Sequence, residues 1–218
     1  MKKETLNFLS ELKDNNKKAW FDENRKRYQE ARKEFVDFIE DLILEISKFD
    51  ENIQGIDAKK TLMRINRDIR FSKDKTPYKL FLGAKIRMGV KKNVSAGYFI
   101  RIGNGMSGIA GGLPMLDSTT LSQVRKGIVK NSAELIKIIN DKSFKETFKE
   151  IVGEKLKNPP RGYSKDHSMI EFLKFKEFIV YKNYKDQEVL SEDFLKKIVN
   201  EFKIMKPLIN FFNHIIQK

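Results

Sequence analysis

Residues 62–71 alternate between apolar and polar side chains with a period of two, which is the period of a β-strand. On the predicted strand, the core face carries one arginine among apolar side chains, namely Met63, Ile65, Arg67, Ile69 and Phe71. The opposite, polar face carries Arg64, Asn66, Asp68 and Arg70. Because side chains two residues apart on one face are separated by about 7 Å, we expect Arg70 to hold the Asp68 carboxylate with its guanidinium fork.

A second period-two pattern predicts a strand over residues 80–90, followed by a turn at 91–93. The chain returns through an alternating segment at 97–102, which predicts antiparallel pairing. The predicted fold class is therefore α+β. It has a mainly antiparallel sheet at about residues 60–113, with a late strand near 177–184, packed with N-terminal and C-terminal helices.

Apolar side chains at helical spacing predict two helices near the N-terminus. The first covers residues 4–12, and the second begins near Lys17 and continues, either alone or with a successor, to about Phe49. Asn15 and Asn16 lie between them, where they are predicted to stop the first helix and cap the second.

From Asp117 onward the chain is predicted to be helical again. Its capping-box patterns lie at 120–123, 131–134, 143–146 and 168–171. Ser191 is predicted to cap a closing helix that Pro207 either kinks or divides. Because no linker, repeat or low-complexity tract interrupts the sequence, we predict a single domain over residues 1–218.

Basic side chains are concentrated in residues 59–87, which hold ten lysines and arginines against two acids, Asp68 and Asp74, and so carry net +8 of the chain's +14. Four of the ten arginines lie in this segment, and a planar guanidinium suits both carboxylates and phosphates. Two interpretations follow: internal ion pairs within a sheet, or a binding site for an anion. Under the first interpretation, Arg67 on the core face needs a buried acidic partner.

The residues that follow the first predicted strand, 72–79, form a loop suited to contacting an anion. Its lysines supply charge, and its hydroxyl groups can donate to phosphate oxygens. The predicted ligand-binding residues are Arg64, Asn66, Arg70, Ser72, Lys73, Lys75, Tyr78, Lys79 and Arg87. If the predicted strands share one sheet, its polar face pools the charges of Arg64, Arg70, Lys85, Arg87 and Arg101.

If the protein catalyses a reaction, the candidate catalytic residues are Asp68, Lys75, Tyr78 and His167. Asp68 would orient an arginine or act as a base, and Lys75 would stabilise anionic oxygens. His167 lies beside Asp166 in a predicted loop and has the chemistry of a general acid or base. No nucleophile elbow, Walker loop or paired-carboxylate signature is present, so the sequence does not decide whether the protein is an enzyme.

Metal and cofactor sites are not predicted. The two histidines have no partners at metal-ligand spacing, and the arginines near Asp68 and Asp74 already supply the charge that a cation would bring. Gly103, Gly105 and Gly108 have the spacing of a dinucleotide-binding fingerprint, but no helix is predicted to open there. Turn glycines before a close-packed strand are the favoured interpretation.

Composition indicates the compartment. The chain has no cysteine, which fits a reducing environment, and its apolar runs are too short or too interrupted for a signal peptide or a membrane span. We therefore expect a cytoplasmic protein without membrane insertion. The pI near 9.7 fits a nucleic-acid partner or an anionic membrane surface, although a lysine-rich composition gives the same value. The oligomeric state is not indicated.

The run RINRDIRFSKDKTPYK, with NNKKAWFDENRKRY before it and GYFIRI, AGGLP, LSQVRKGI and PPRGYSKDH after it, resembles a widespread bacterial family of conserved hypothetical proteins of unknown function. The resemblance spans nearly the whole chain and implies one α+β domain with no agreed activity or cofactor. Two positions depart from the family pattern: Arg101 stands where a histidine is common, and Ser168 replaces a proline after His167. These departures weaken a catalytic role for either position.

Three functional hypotheses remain at this point. The first is a basic, arginine-rich site for a phosphorylated or other anionic ligand, nucleic acid included. The second is a structural or interaction protein whose arginines form internal ion pairs. The third is an enzyme acting on phosphoesters.

Overall fold

A computed structural model describes residues 1–87 and 95–217. Its α-helices are α1 (Lys3–Asp14), α2 (Lys18–Glu23), α3 (Arg25–Ser47), α4 (Ala58–Thr61), α5 (Ser118–Lys130), α6 (Ser132–Asn140), α7 (Lys142–Phe148), α8 (Ile170–Leu173), α9 (Asp186–Val189) and α10 (Phe194–Ile216). The strands are β1 (Leu82–Ile86), β2 (Gly97–Ile102), β3 (Ser107–Leu113) and β4 (Phe178–Tyr184), and a 3₁₀ helix covers Glu51–Ile53.

The described strands form a four-stranded antiparallel sheet in the order β1-β2-β3-β4. Each strand pairs with the next one along the chain, as in a β-meander. The α+β prediction is confirmed, with helices at both ends of the chain. Of the strand predicted at 80–90, residues 82–86 are regular, whereas 88–90 and the turn at 91–93 lie outside the described residues.

The chain divides into two compact units. Unit 1 comprises Met1–Ile86, Phe99–Ile109 and Asn183–Asn200. Unit 2 comprises Arg87–Tyr98, Ala110–Lys182 and Glu201–Lys218. That residues 1–218 fold as a single domain stays a prediction.

The core of unit 1 is built from α1 and α3, whose apolar stripes pack together. Leu9 of α1 and Phe35 of α3 are among the side chains buried there. Trp20 of α2 is half-buried, and its ring stacks on Phe8 with centroids 5.9 Å apart. Trp20 therefore packs onto the core of unit 1 through this contact.

In unit 2, the end of α10 packs its aromatic side chains against the strands. Phe212 lies 5.1 Å from Phe178, centroid to centroid, and Phe202 meets Tyr98 edge-on at 5.0 Å. Pro207 lies inside α10, which continues through it as one helix, so the proline does not start a new helix.

Two helices in unit 2 begin earlier than their capping-box patterns predict. Asp117 caps α5 by accepting hydrogen bonds from the N–H groups of Thr119 and Thr120. Asp141 caps α7 in the same way through Phe144 N–H. An aspartate is as good an N-cap as serine or threonine, and here it acts two or three residues before the predicted cap.

The regular strand predicted at 62–71 is not formed. Two isolated antiparallel bridges stand in its place, Leu62 with Ala84 and Asn66 with Tyr78. Between the two bridges, the first segment has three residues, 63–65, and the returning segment has five, 79–83. The two extra residues interrupt the ladder as at a β-bulge.

The predicted alternation of faces nevertheless holds from Met63 to Arg70. The odd-numbered side chains are buried or half-buried, and the even-numbered ones are exposed. It fails at Phe71, which was predicted on the core face and is 95% exposed. The pairing with the returning chain has ended by that residue, because the last bridge is at Asn66.

Candidate functional site

We use the name basic ribbon for residues 62–86 of unit 1, in which the two bridged segments run antiparallel. Two backbone bonds of 2.8 Å flank the bridge between Asn66 and Tyr78: Arg67 N–H donates to the Pro77 carbonyl, and Lys79 N–H donates to the Ile65 carbonyl. Residues 68–76 close the ribbon, and we call them the ribbon loop. Pro77 has no N–H to contribute, but its carbonyl is used in the pairing.

The ribbon is joined to the N-terminal helices through Asn16. Its side-chain amide donates to the Tyr78 carbonyl, and its side-chain oxygen accepts from Tyr78 N–H, both at 3.0 Å. The amide thus pairs with the backbone of Tyr78 as a neighbouring strand would. Asn16 had been predicted to cap α2, but the cap position is Lys17 and no side chain caps the helix.

Tyr78 was predicted to offer its hydroxyl to a ligand. Tyr78 is only 6% exposed, and its ring stacks on that of Phe21, with the centroids 4.0 Å apart and an angle of 16° between the planes. The ring is therefore part of the core of unit 1 and fixes one side of the ribbon to α2.

Arg67 organises the ribbon loop from inside. Its Nη1 donates to Asp74 Oδ2 at 2.5 Å, to the Thr76 carbonyl at 3.1 Å and to the Thr76 hydroxyl. Its Nη2 reaches the Ser72 hydroxyl at 3.5 Å. The Arg67 side chain is 26% exposed and its acidic partner is 59% exposed, so the buried acid that the sequence led us to expect is a largely exposed one.

Asp74 is the most strongly perturbed carboxyl group of the loop. Its pKa is lowered from 3.8 to about 2, first by hydrogen bonds from the backbone N–H and the hydroxyl of Thr76 and then by Arg67. These bonds all favour the ionised carboxylate. The hydroxyl of Thr76 and that of Ser72 are thus occupied within the loop.

The predicted pair between Asp68 and Arg70 is confirmed. Arg70 Nε donates to Asp68 Oδ1 at 3.0 Å, and Nη2 donates to Oδ2 at 2.8 Å. Arg70, through its side chain and then its backbone N–H, lowers the pKa of Asp68. The two side chains are 77% and 60% exposed, so the pair orients two groups at the surface and adds little to stability.

Lys79 is surrounded by like charges. Its Nζ donates to the backbone carbonyls of Arg64 and Asn66, and no carboxylate in the described part of the chain lies within ion-pair distance. Burial lowers the pKa of Lys79 first, and the charges of Arg64, Arg67 and Lys85 lower it further. The smaller part of the lowering, which comes from these charges, indicates that Lys79 has cationic neighbours.

Other predicted ligand-binding cations remain at the surface. Arg64, Lys73, Lys85 and Arg87 are exposed, and none forms an ion pair with a described residue. Arg87 belongs to unit 2. Lys75 is also exposed, and its Nζ donates to the Ile69 carbonyl at 3.0 Å.

His167 lies in unit 2, half-buried in the segment before α8. Its Nδ1 accepts a hydrogen bond from Met169 N–H at 3.0 Å, and its carbonyl accepts from Ile170 N–H at 2.9 Å. The ring also meets Tyr163 edge-on. These contacts hold His167 in the turn that leads into α8, whose N-cap position is Met169 and has no side-chain cap.

The glycines of the fingerprint-like run are turn and packing positions. Gly105 has φ +65° and donates to Asp186 Oδ1 at 2.9 Å. A Cβ on Gly103 would lie 2.7 Å from the Leu80 carbonyl oxygen, against the bulge of the ribbon. β3 follows, as the turn-and-strand interpretation predicted.

Within residues 1–87 and 95–217, no three His, Asp or Glu side chains come together at a point that could hold a metal ion. In the same residues, no helix has the length and apolar character needed to cross a bilayer.

Comparison with known proteins gives one match. Residues 4–211 match the model of a family described as conserved hypothetical protein (DUF2461). No curated protein and no solved structure is significantly similar to the chain.

Proposed function

We propose that this chain, which belongs to the conserved hypothetical family DUF2461 over residues 4–211, binds a phosphorylated ligand, nucleic acid included, through the cations of the basic ribbon. We place this function in the cytoplasm, which the absence of cysteine supports. The binding residues of the proposal are Arg64, Lys73, Lys79 and Lys85.

The environment of Lys79 carries the proposal. Burial is the first cause of the lowered pKa of this ammonium group and three neighbouring cations lower it further, while its own hydrogen bonds go to backbone carbonyls. Like charges held together cost free energy unless an anion neutralises them. A phosphate placed over Arg64 and Lys85 would gain their attraction and also relieve their repulsion of Lys79.

The exposed arginine and lysines would contact a phosphate in different ways. Arg64 offers a planar fork that suits phosphate oxygens, whereas Lys85 and Lys73 act as point charges. Arg70 keeps its guanidinium in one orientation through Asp68, and at 77% side-chain exposure it still presents unused N–H groups. Neither Ser72 nor Thr76 is needed for the ligand in this proposal, since both bind Arg67.

Within the basic ribbon, the structural alternative is supported at Arg67 and, through the exposed pair with Asp68, at Arg70. Arg67 has a carboxylate, a carbonyl and two hydroxyl partners within the ribbon loop, so its charge is satisfied internally. We assign it to holding the loop. The structural alternative requires a carboxylate partner for each cation. The exposed Arg64 and Lys85 have none among the residues described.

An enzyme acting on phosphoesters is supported less well. Asp68 is held ionised by Arg70, which lowers its pKa and makes it a weak base. The Tyr78 ring is in the core, and Lys75 donates to a backbone carbonyl. Binding without chemistry is therefore the function we propose.

The test is fluorescence anisotropy with two labelled polyanions, a polyphosphate chain and a single-stranded oligonucleotide, across a series of salt concentrations. A phosphate-binding surface shows affinity that falls linearly on a log–log plot, with a slope near 0.7 for each phosphate contacted on a single strand. The double variant Arg64→Ala, Lys85→Ala is expected to weaken binding to both probes and to reduce the slope.

The matched control is the double variant Arg32→Ala, Lys33→Ala. It removes the same charges from an exposed stretch of α3 and favours helix formation. Equal losses in the two double variants would mean that net charge alone drives binding and would overturn the proposal. Absence of binding to either polyanion at low salt would do the same.

A further inference from the structure

Phe71 lies on the ribbon loop with almost its whole side chain in solvent. At 95% exposure it is the most exposed large apolar side chain of the described residues. Single exposed apolar residues are common on protein surfaces. This one differs in its surroundings, because exposed basic residues flank it on both sides, Arg70 before it and Lys73 and Lys75 after it.

The ribbon loop that carries Phe71 is held by side-chain hydrogen bonds at several points. Arg67 joins Ser72, Asp74 and Thr76 from inside. Lys75 Nζ binds the Ile69 carbonyl at 3.0 Å, and Ser72 N–H reaches the same carbonyl at 3.3 Å. Such a loop presents the phenyl ring without the ordering cost that a flexible loop pays on binding.

The ring and its neighbours have the chemistry of a stacking platform. The Arg70 guanidinium carbon is 5.9 Å from the centre of the Phe71 ring, at the outer limit of a cation–π contact. Proteins that bind single strands combine cations along the backbone with aromatic rings on which bases stack. In a duplex the base faces are already stacked on one another, so such a ring selects unpaired bases.

We propose that Phe71 stacks on a base of a single-stranded nucleic acid whose phosphates lie along the cations of the ribbon. This inference rests on the proposed function and narrows it to one ligand class. An anionic membrane surface is the other partner that basic and apolar groups attract. It is less well supported, because insertion strength grows with the apolar area buried, and Ile69, the loop's other apolar side chain, is half-buried.

The experiment compares a labelled thymidine oligomer with an abasic oligomer of the same length and charge. Phe71→Ala is expected to weaken binding of the thymidine oligomer roughly 5- to 100-fold and to leave binding of the abasic oligomer unchanged. Phe71→Tyr keeps a ring and is expected to keep the affinity. Phe71→Leu keeps apolar area without a π face and is expected to behave as the alanine variant does.

The outcomes separate this inference from the function on which it rests. If both oligomers bind and Phe71→Ala affects them equally or not at all, stacking is wrong and phosphate binding stands. If neither oligomer binds, both proposals fail. A loss of binding to vesicles of anionic lipid in Phe71→Ala but not in Phe71→Leu, with oligomer binding unchanged, would identify a membrane contact and overturn the inference. Thermal unfolding serves as the control, because a ring this exposed contributes little to the fold.

Discussion

Arg67 and Asp74 join the two sides of the ribbon loop, with Nη1 of the arginine 2.5 Å from Oδ2 of an aspartate seven residues farther along the chain. The same nitrogen binds the carbonyl of Thr76. The last backbone hydrogen bond of the ribbon is from Arg67 N–H to the Pro77 carbonyl, and beyond it the guanidinium closes the loop with side-chain bonds instead of a β-turn ladder.

The hydrogen bonds from Thr76 and Arg67 should keep Asp74 ionised at low pH. Its folded-state pKa of about 2 lies below the ordinary 3.8, so its stabilising effect is complete above the unfolded value and is lost as the pH falls through about 2. Thr76→Val removes the hydroxyl donor and should raise the Asp74 pKa toward 3.8. Carboxyl carbon NMR titration measures this midpoint.

The matched control for that titration is Thr119→Val, at an exposed threonine of unit 2 whose hydroxyl has no role at Asp74. It should leave the Asp74 midpoint near 2. An unchanged midpoint in Thr76→Val would show that the Thr76 hydroxyl does not bind the carboxylate.

Loss of Arg67 should open the ribbon loop while sparing the rest of unit 1. Its hydrogen bonds are charge-assisted, and such bonds contribute about 1.5 to 3 kcal/mol each when one partner is ionised. We expect Arg67→Ala to accelerate tryptic cleavage after Lys73 roughly tenfold or more, since cleavage follows the open population. Arg67→Lys keeps the charge without the fork and should give an intermediate rate.

Cleavage after the exposed Arg161, in unit 2, provides the internal control and should not change. If Arg67→Ala unfolds the whole protein, as urea denaturation would reveal, the arginine supports more than the loop. If cleavage after Lys73 is unaffected, the contacts of Arg67 do not order the loop.

The sequence predicted those parts of the ribbon that depend on neighbouring residues. The pairing of Asp68 with Arg70 needs two side chains on one face, and the alternation of residues 63–70 supplies that arrangement without a regular ladder. The interruption of the ladder could not be predicted, because it depends on which residues of 79–83 lie opposite 63–65. The prediction that Phe71 lies on the core face assumed a continuous ladder and was therefore wrong.

Asn16 shows the other limit of sequence-based reasoning. It lies 62 residues before its partner Tyr78, and no local pattern marks an asparagine that will pair with a distant backbone. The sequence predicts that Asn16 caps a helix. It does lie between α1 and α2, but its side chain binds the backbone of Tyr78 and caps neither helix. The tertiary fold decides which of two adjacent asparagines is buried enough to matter.

Replacing Asn16 should destabilise the protein. Asn16→Ala removes two hydrogen bonds and leaves the Tyr78 N–H and carbonyl unpaired in a partly buried position, a cost of about 2 kcal/mol. Asn15→Ala is the matched control, since Asn15 is exposed and bonds only to its own helix, and it should change the free energy of unfolding little. Urea denaturation measures both, and equal effects of the two substitutions would contradict the strand-like role of Asn16.

Gly103 should be the most sensitive of three glycines in unit 1. An alanine Cβ at this position would lie 2.7 Å from the Leu80 carbonyl oxygen, and a backbone atom cannot move aside cheaply. We expect Gly103→Ala to cost about 1 to 3 kcal/mol of unfolding free energy. Gly55→Ala and Gly105→Ala meet no atom within 4 Å and carry only the strain of φ +72° and +65°, about 1 to 2 kcal/mol.

The position of Gly103 also links this packing to the proposed site. A Cβ on Gly103 would displace residues 80–81, and Leu80 directly follows Lys79. The displacement would therefore move the Lys79 ammonium group, on which the binding proposal depends. Gly103→Ala should therefore weaken polyphosphate binding under conditions in which the variant is still folded, whereas Gly55→Ala, at an open turn, should not. Urea midpoints and anisotropy titrations on the same preparations measure the two effects. A Gly103→Ala variant with unchanged stability and unchanged binding would show that the ribbon does not depend on the close approach of this glycine.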